Sequence, residues 1–373
     1  MKSRCARQGV LATSHESMQQ QDQRQTIIDS LEVLRKRDVA EKQPFKARAY
    51  AKVIAQLKEH PEPITTYEDV KNIKGIGEQI SKKIKEILAT GQLQSAMKAM
   101  ELYPIAALDA LQNIYGVGPA KAKELVDAGI HSIAQLREAV RAHPKLLNDK
   151  QKVGLQYYED LLDRIPREEM EEHNTLLRDL RPKAWKKYQM DLVGSFRRQA
   201  PTSGDIDVLI RIPKDANKDA KEQLADYVRI LQEANYVEEV LALGEHKCMA
   251  ICRLPNKKAC SPSQGEEERP SVERRARRLD LLLTPDEEYA YALLYFTGSD
   301  KFNVAFRQHA LHAGYTLNEH TLTPIQAAAP VVPYMPTERS IFQFLKLRYV
   351  EPQDRVDGNQ IQPQKLIRRV ARE

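Results

Sequence analysis

The stretch Gly194-Ser195-Phe196-Arg197-Arg198-Gln199-Ala200-Pro201-Thr202-Ser203-Gly204-Asp205-Ile206-Asp207-Val208-Leu209-Ile210 decides how the rest of the chain is read. It ends in an apolar run of strand character that is entered through two acidic residues. On a strand, residues i and i+2 face the same side, so Asp205 and Asp207 point together while Ile206, Val208 and Ile210 point to the other face. Two adjacent carboxylates repel unless a cation sits between them. Magnesium is the natural cation, with manganese as a substitute, because it takes oxygen ligands and keeps room for substrate phosphates. Ser195 at a helix start, together with Arg198, offers donors to a triphosphate. By itself an Asp-x-Asp is also met as a solvated pair at a strand end, and Asp280 argues against that here. It stands in Arg278-Leu279-Asp280-Leu281-Leu282-Leu283, an otherwise apolar strand where a lone carboxylate is costly to bury. The third carboxylate completes a two-metal site of the kind that activates a hydroxyl and holds a triphosphate with its leaving pyrophosphate.

Upstream, the pattern from Gln25 to Leu102 is helical, with apolar residues three and four apart such as Ile27, Leu31 and Leu34, then Tyr50, Val53, Ile54 and Leu57. Pro61 and Pro63 break it, and Gly91 reads as a C-cap. Two segments, Ile73-Lys74-Gly75-Ile76-Gly77 and Ile114-Tyr115-Gly116-Val117-Gly118, share the pattern Ile-x-Gly-apolar-Gly and each opens a lysine-bearing amphipathic helix. Such a hairpin leaves the first amides of the second helix unpaired at the positive end of its dipole, where a phosphate fits. One copy is an ordinary helix-capping turn. Two copies, followed by Lys82, Lys83 and Lys85 and by Lys121 and Lys123, predict sequence-independent binding of nucleic acid through Gly75, Gly77, Gly116 and Gly118.

Beyond Arg164 the chain turns to short strand-like runs at Met190–Val193, Ile206–Ile210, Tyr236–Leu241, Cys248–Ile251 and Leu279–Leu283, with one long helical stretch at Lys218–Ala234. This predicts a mixed α/β unit built on a sheet. The stretch from Arg253 to Arg278 has almost no large apolar residue and reads as a mobile loop between two strands. After Pro285 come a helix, a turn at Thr297-Gly298-Ser299, a second helix to about His312 and a mixed α+β piece ending near Tyr349. Lysine and arginine number 58 against 52 aspartates and glutamates, a net charge of +6, which suits a polyanionic partner. No apolar run reaches the length of a membrane span, the N-terminus lacks a secretory h-region, and four cysteines make no disulfide framework, so a soluble intracellular protein in a reducing compartment is expected. Cys248 and Cys252 lie about 13 Å apart if that segment is a strand, too far to share a zinc ion. Lys2, Arg4 and Arg7 ahead of any acidic residue fit either a mitochondrial presequence or a basic tail.

These motifs resemble the X family of DNA polymerases, of the DNA polymerase beta type, over roughly Gln25 to Arg355. GSFRRQAPTSGDIDVLI is similar to the family's nucleotidyltransferase motif, RRLDLLL to its third-carboxylate strand, YFTGSDKFNVAFRQHAL to its nucleotide-selecting motif and DRIPREEM to the start of its palm. The resemblance implies a multidomain chain: a tail at 1–24, an all-α lyase domain with one hairpin at 25–98, a helical DNA-binding subdomain with the second at 99–166, an α/β palm at 167–286, a nucleotide-selecting subdomain at 287–355 and a basic tail at 356–373. It implies two magnesium ions on Asp205, Asp207 and Asp280, and triphosphate contacts from Arg164, Ser195, Arg198, Ser203 and Gly204. Tyr295 and Phe296 would flank the sugar, with Gly298 in the turn between them and the next helix. Asp300 and Asn303 would touch the incoming nucleotide, and Arg307 the template minor groove, with Arg48 and Arg278 as further DNA contacts. Carbonyls of Lys71, Ile73 and Ile76, and of Gln112, Ile114 and Val117, would ligate sodium or potassium. Lys83 matches the family's Schiff-base lysine.

The implied activity is template-directed filling of short gaps in base excision repair by a monomer acting on gapped duplex DNA and deoxynucleoside triphosphates, with 5′-deoxyribose phosphate lyase activity, in the nucleus or a mitochondrion. A non-catalytic DNA-end scaffold and a template-independent transferase are the alternatives; the three carboxylates oppose the first, and Arg307 the second. Several positions depart from the family pattern. Gln199 stands where the family usually has glycine and His320 where it often has tyrosine. The lyase pocket carries Gln43, Ala47, Gln79 and Ser95 in place of its usual groups, with Lys42 and Lys46 as partial substitutes. The long 253–278 stretch resembles that of kinetoplastid members.

Overall fold

The computed structural model describes residues 22–102, 104–214, 219–255, 274–326 and 330–364. Nearly all of the N-terminal tail, the middle of the 253–278 stretch, and the part of the C-terminal tail with Lys365, Arg368, Arg369 and Arg372 therefore lie outside the described residues. The chain divides into two compact units, Met1–Gln151 and Lys152–Glu373.

The first unit is helical: α1 (Arg24–Ala40), α2 (Pro44–Glu59), α3 (Glu78–Thr90), α4 (Gln94–Leu102), α5 (Ile105–Gln112), α6 (Pro119–Asp127) and α7 (Ile133–Ala142). The apolar stripe of α1, Ile27, Leu31 and Leu34, is fully buried against Val53, Ile54 and Leu57 of α2 and Ile80, Ile84 and Ile87 of α3. Each such aliphatic side chain is worth about 1.5–3 kcal/mol of transfer free energy, so the period-3.6 pattern alone suffices to place the three helices around one core. Gly91 ends α3 with φ +73°, its N–H bonded to the Ile87 carbonyl at 2.7 Å.

The two hairpins have the same construction. Gly75 and Gly116 hold φ of +108° and +82°, values that L side chains rarely adopt. The following residue closes a tight turn in each: Ile76 N–H to Ile73 C=O at 3.2 Å, and Val117 N–H to Ile114 C=O at 3.0 Å. Gly77 and Gly118 then start α3 and α6 in extended conformation without a side-chain cap. A glutamine amide from a neighbouring helical segment steadies each turn, Gln56 donating to Lys74 C=O at 2.5 Å and Gln151 to Gly116 C=O at 2.9 Å.

In the second unit, α8 (Asp149–Gln156), which spans the boundary, and α9 (Tyr158–Leu162) lead to β1 (Ile165–Pro166) and α10 (Arg167–Asp179). Then come β2 (Gln189–Leu192), α11 (Gly194–Arg197), β3 (Thr202–Ser203), β4 (Ile206–Ile212), α12 (Ala220–Glu233), β5 (Val237–Leu243), β6 (Lys247–Cys252) and β7 (Arg277–Pro285). β1 pairs with β3, and the main sheet has the order β2-β4-β7-β6-β5 with β4 and β7 parallel and the other neighbours antiparallel. Met170 and Leu177 of α10 and Leu224, Tyr227 and Leu231 of α12 cover one face, packing on Ile206, Val208 and Ile210 and on Leu279, Leu281 and Leu283. Side chains alternate along a strand, so Asp207 with Leu209, and Asp280 with Leu282, go to the opposite face. There α13 (Tyr289–Thr297) covers part of the sheet through Tyr289 and Ala292. Cys248 and Cys252 are free buried thiols whose pKa values are pushed up to about 12, by burial first in both cases.

The unit closes with α14 (Asp300–His312), the hairpin β8 (Tyr315–Leu317) and β9 (Leu322–Pro324), and α15 (Glu338–Phe344). Phe302, Phe306 and Phe342 form its core. The fully buried Arg355 lies beside Phe302 and Phe342 and donates to Glu338 at 2.6 Å.

Candidate active site

Parallel pairing sets Asp207 directly beside Asp280 in the register of β4 and β7. Asp280 is 5% exposed. One of its oxygens is 2.8 Å from Lys247 Nζ, and the other, Oδ1, is buried without a hydrogen-bond partner. The Asp207 carboxyl is raised to about 6 by its own burial and then by the Asp280 charge, with Lys247 pulling the other way. Gly194 is required at this spot, because a Cβ there would stand 2.9 Å from Asp207 Oδ2. Asp205 precedes the strand, and its carboxylate is taken by Arg278, whose Nε lies 3.8 Å from Asp280.

Of the three carboxylates expected to hold metal, two stand side by side in the structure. Asp207 and Asp280 are neighbours, Asp205 is drawn off to Arg278, and among the described residues no three acidic, histidine or cysteine side chains stand close enough for one metal ion. The nearest basic side chains, Arg278 and Lys247, offset part of the charge of this cluster. The sequence reading assigned Arg278 to DNA and overlooked Lys247. A diagonal partner on a neighbouring strand has no signature in sequence until the strand order is known. The donor set still fits a divalent cation: the ligands are carboxylate oxygens, one buried oxygen lacks a partner, and two like charges share one edge.

Around this edge the candidate triphosphate donors lie on short elements. Ser195 on α11 donates its hydroxyl hydrogen to Ser203 Oγ at 3.0 Å. Arg164 is held by Thr202, through Nε to the hydroxyl at 2.7 Å and Nη2 to the carbonyl at 2.8 Å, and it flanks Gly204. Arg198 donates to the Thr297 carbonyl at 2.5 Å, tying α11 to the end of α13. Burial lowers its pKa, and the Asp300 charge acts against that. Tyr295 and Phe296 meet edge to face with centroids 5.2 Å apart, and Asn303 donates to the Tyr295 carbonyl at 2.7 Å. Tyr295, Asn303, Arg307 and Asn318 line one cleft. Asp300 opens α14 on its exposed side, one residue after the N-cap Ser299. His320 sits 2.7 Å from Glu288.

Gln199, at the position where the family pattern carries glycine, has φ +60°, a left-handed backbone. A non-glycine residue there costs about 1 kcal/mol. Gln199→Gly is expected to stabilise the protein by up to that amount in chemical denaturation, and a destabilised variant would count against the strain.

In the first unit Lys83 lies half-buried on α3. Its lysine neighbours on the same helix have partners of their own: Lys82 pairs with Glu78 at 2.7 Å, and Lys85 lies 4.4 Å over the Tyr67 ring. Arg48, Gln43, Gln79, Lys42 and Lys46 are exposed, Ala47 is buried, and Ser95 has its hydroxyl buried without a partner. Ile73 and Ile114 carbonyls, expected to ligate a monovalent cation, each accept the turn hydrogen bond of their hairpin.

Four family models match the chain in order: a helix-hairpin-helix domain over residues 22–93, the fingers domain of DNA polymerase lambda over 109–162, the DNA polymerase beta palm over 164–286 and the DNA polymerase beta thumb over 292–356. The chain is 32% identical over 343 residues to a DNA polymerase lambda of Rattus norvegicus, covering 88% of this chain and 56% of that protein. It is 27% identical over 325 residues to a DNA polymerase lambda of Arabidopsis thaliana, covering 82% and 57%. The chain thus spans somewhat over half the length of the curated relatives it matches. Among the described residues no helix is long and apolar enough to cross a membrane.

Proposed function

The chain belongs to the family X DNA polymerases, and from that premise we propose that it extends a DNA primer across a short gap by template-directed nucleotidyl transfer. The observation that carries this reading is the Asp207–Asp280 pair on the adjacent inner strands β4 and β7, with Gly194, at the start of α11, against Asp207. Asp205, Asp207 and Asp280 would hold divalent cations, magnesium being the best fit to an all-oxygen donor set. When bound, the metal supplies Lewis-acid activation of the primer hydroxyl and charge stabilisation for the departing pyrophosphate. The chain's own groups do the rest. Arg164, Ser195, Ser203, Arg198 and the Gly204 backbone grip and orient the triphosphate. Tyr295 and Phe296 crowd the sugar edge, Asp300 and Asn303 meet the nucleotide, and Arg307 reads the template strand's minor-groove side. Asp205 would hold the cation only once its Arg278 partner had moved away. The relatives named DNA polymerase lambda in a rat and a plant support DNA as the substrate.

Primer extension on a one-nucleotide gapped duplex tests the reading. Addition should require a divalent cation and follow the template base. No addition with either magnesium or manganese would leave the scaffold alternative standing, and addition indifferent to the template base would favour the transferase.

The uncapped hairpins at Gly77 and Gly118 support DNA binding through the backbone. Affinity should fall steeply between low and physiological salt and be higher for gapped DNA with a 5′-phosphate than for intact duplex. A nearly flat salt dependence in fluorescence anisotropy would remove the phosphate-gripping role.

Lys83 would form a Schiff base with the sugar aldehyde of an incised abasic site, and elimination then releases the 5′-sugar phosphate. Exposed Gln43 and Gln79 offer no charge to grip that phosphate, so turnover should be slow for want of orientation. Borohydride should trap the protein on its DNA, and Lys83→Ala should abolish most trapping while sparing gap filling. Undiminished trapping would move the nucleophile to another lysine.

A further inference from the structure

Lys247 is the first residue of β6 and faces Leu282 in the register, while Met249 stands opposite Asp280. Its ammonium nevertheless reaches diagonally to Asp280 Oδ2 at 2.8 Å. The two partners differ in freedom. Asp280 is fixed in a buried strand with its other oxygen unpartnered, whereas the Lys247 side chain is 44% exposed and can turn into solvent. Arg278 engages Asp205 in the same way. Two basic side chains therefore stand against three carboxylates at the edge where the cation would bind.

We propose that Lys247 is the internal counter-ion of Asp280: a positioning residue that compensates the third carboxylate while no cation is bound and competes with the divalent cation for it. A buried carboxylate beside a second one is costly without compensation. A half-exposed lysine supplies that charge, and once a cation stands beside Asp280 its ammonium can turn into solvent. The side chain would thus set the cation concentration at which the site loads, without being a ligand or touching the substrate. This inference rests on the reading of Asp280 as a metal ligand.

The test is manganese binding to the full chain in the absence of DNA and nucleotide, followed by the electron paramagnetic resonance signal of the free ion. Lys247→Met should bind manganese about fivefold tighter, the factor that corresponds to ~1 kcal/mol. Lys247→Arg should stay near wild type. In an Asp280→Asn background the same Lys247→Met change should have no effect, because the group through which it acts is gone. Lys247→Gln serves as a second neutral variant should the methionine not fold. Unchanged or weaker binding in the neutral variants overturns the counter-ion role while leaving the metal site intact. Failure of the wild-type chain and the neutral variants alike to bind manganese overturns the metal-site reading itself, and this inference with it.

Discussion

Asp207→Asn is expected to lower the rate of nucleotide addition at least about a thousandfold and, in the same protein, to raise the stability of the metal-free fold. The first effect follows from losing a charged ligand to the cation, which is worth several kcal/mol in the transition state, and ~4 kcal/mol is about a thousandfold in rate. The second follows from the carboxyl's pKa of about 6, raised by burial and by Asp280. A carboxyl raised in the folded state stabilises the fold while protonated, so its contribution is fully present below pH ~4 and is lost as pH rises through about 6. At about 1.36 kcal/mol per pH unit the ceiling of that loss is about 3 kcal/mol. Asparagine has nearly the same shape and never ionises. Melting curves in EDTA should therefore coincide near pH 4 and separate above pH 6, with the variant the more stable by ~1–3 kcal/mol. Equal stability at neutral pH would mean that the Asp207–Asp280 repulsion is already relieved.

Glu338→Ala should be the most damaging single truncation in the region of α13 to α15. Glu338 is 3% exposed and accepts from Arg197 at 3.0 and 2.7 Å and from the fully buried Arg355 at 2.6 Å. Removing the carboxylate leaves two guanidiniums without their counter-charge, which costs about 3–5 kcal/mol. Burial works to raise the Glu338 pKa, and the two arginines outweigh it and hold it below the usual carboxylate range. The contribution of this three-residue cluster is thus present at neutral pH and lost as pH falls through that depressed value. Arg197 also donates to the Thr297 hydroxyl at 2.6 Å, so the same change should loosen α11 against α13 and raise KM for the nucleotide. Urea denaturation and nucleotide titration check the two effects, and a loss of stability below about 1 kcal/mol would show the cluster to be dispensable.

Much of the fold was legible because periodicity tracks burial. The α1 stripe, the strands from Ile206 and Leu279, and the C-cap at Gly91 lie where alternation and glycine placement put them. Family membership was legible from motifs, which are local in sequence. What stayed hidden depends on through-space neighbours. Nothing in the segment around His246 and Lys247 announces that its lysine reaches Asp280, and Arg355 in a polar, proline-bearing tail gives no hint of complete burial. The capture of Asp205 by Arg278 is hidden for the same reason: the two are distant in sequence and adjacent only after β4 and β7 pair. Gln199 is intermediate, since its left-handed backbone shows only through the glycine that the family pattern carries there.

The antiparallel pairing of β6 with β7 sets Cys252 opposite Arg277, so the residues between them join two points that already lie side by side. Closing a chain between fixed neighbours costs only about 0.6 kcal/mol for each doubling of its length. Added residues there leave the strand register and the Asp207–Asp280 alignment untouched, provided Arg253 and Arg274 keep their ties to Glu238 and Glu172. A fluorescent reporter or an affinity module spliced between Arg253 and Arg274 is therefore expected to leave the aspartate pair in place.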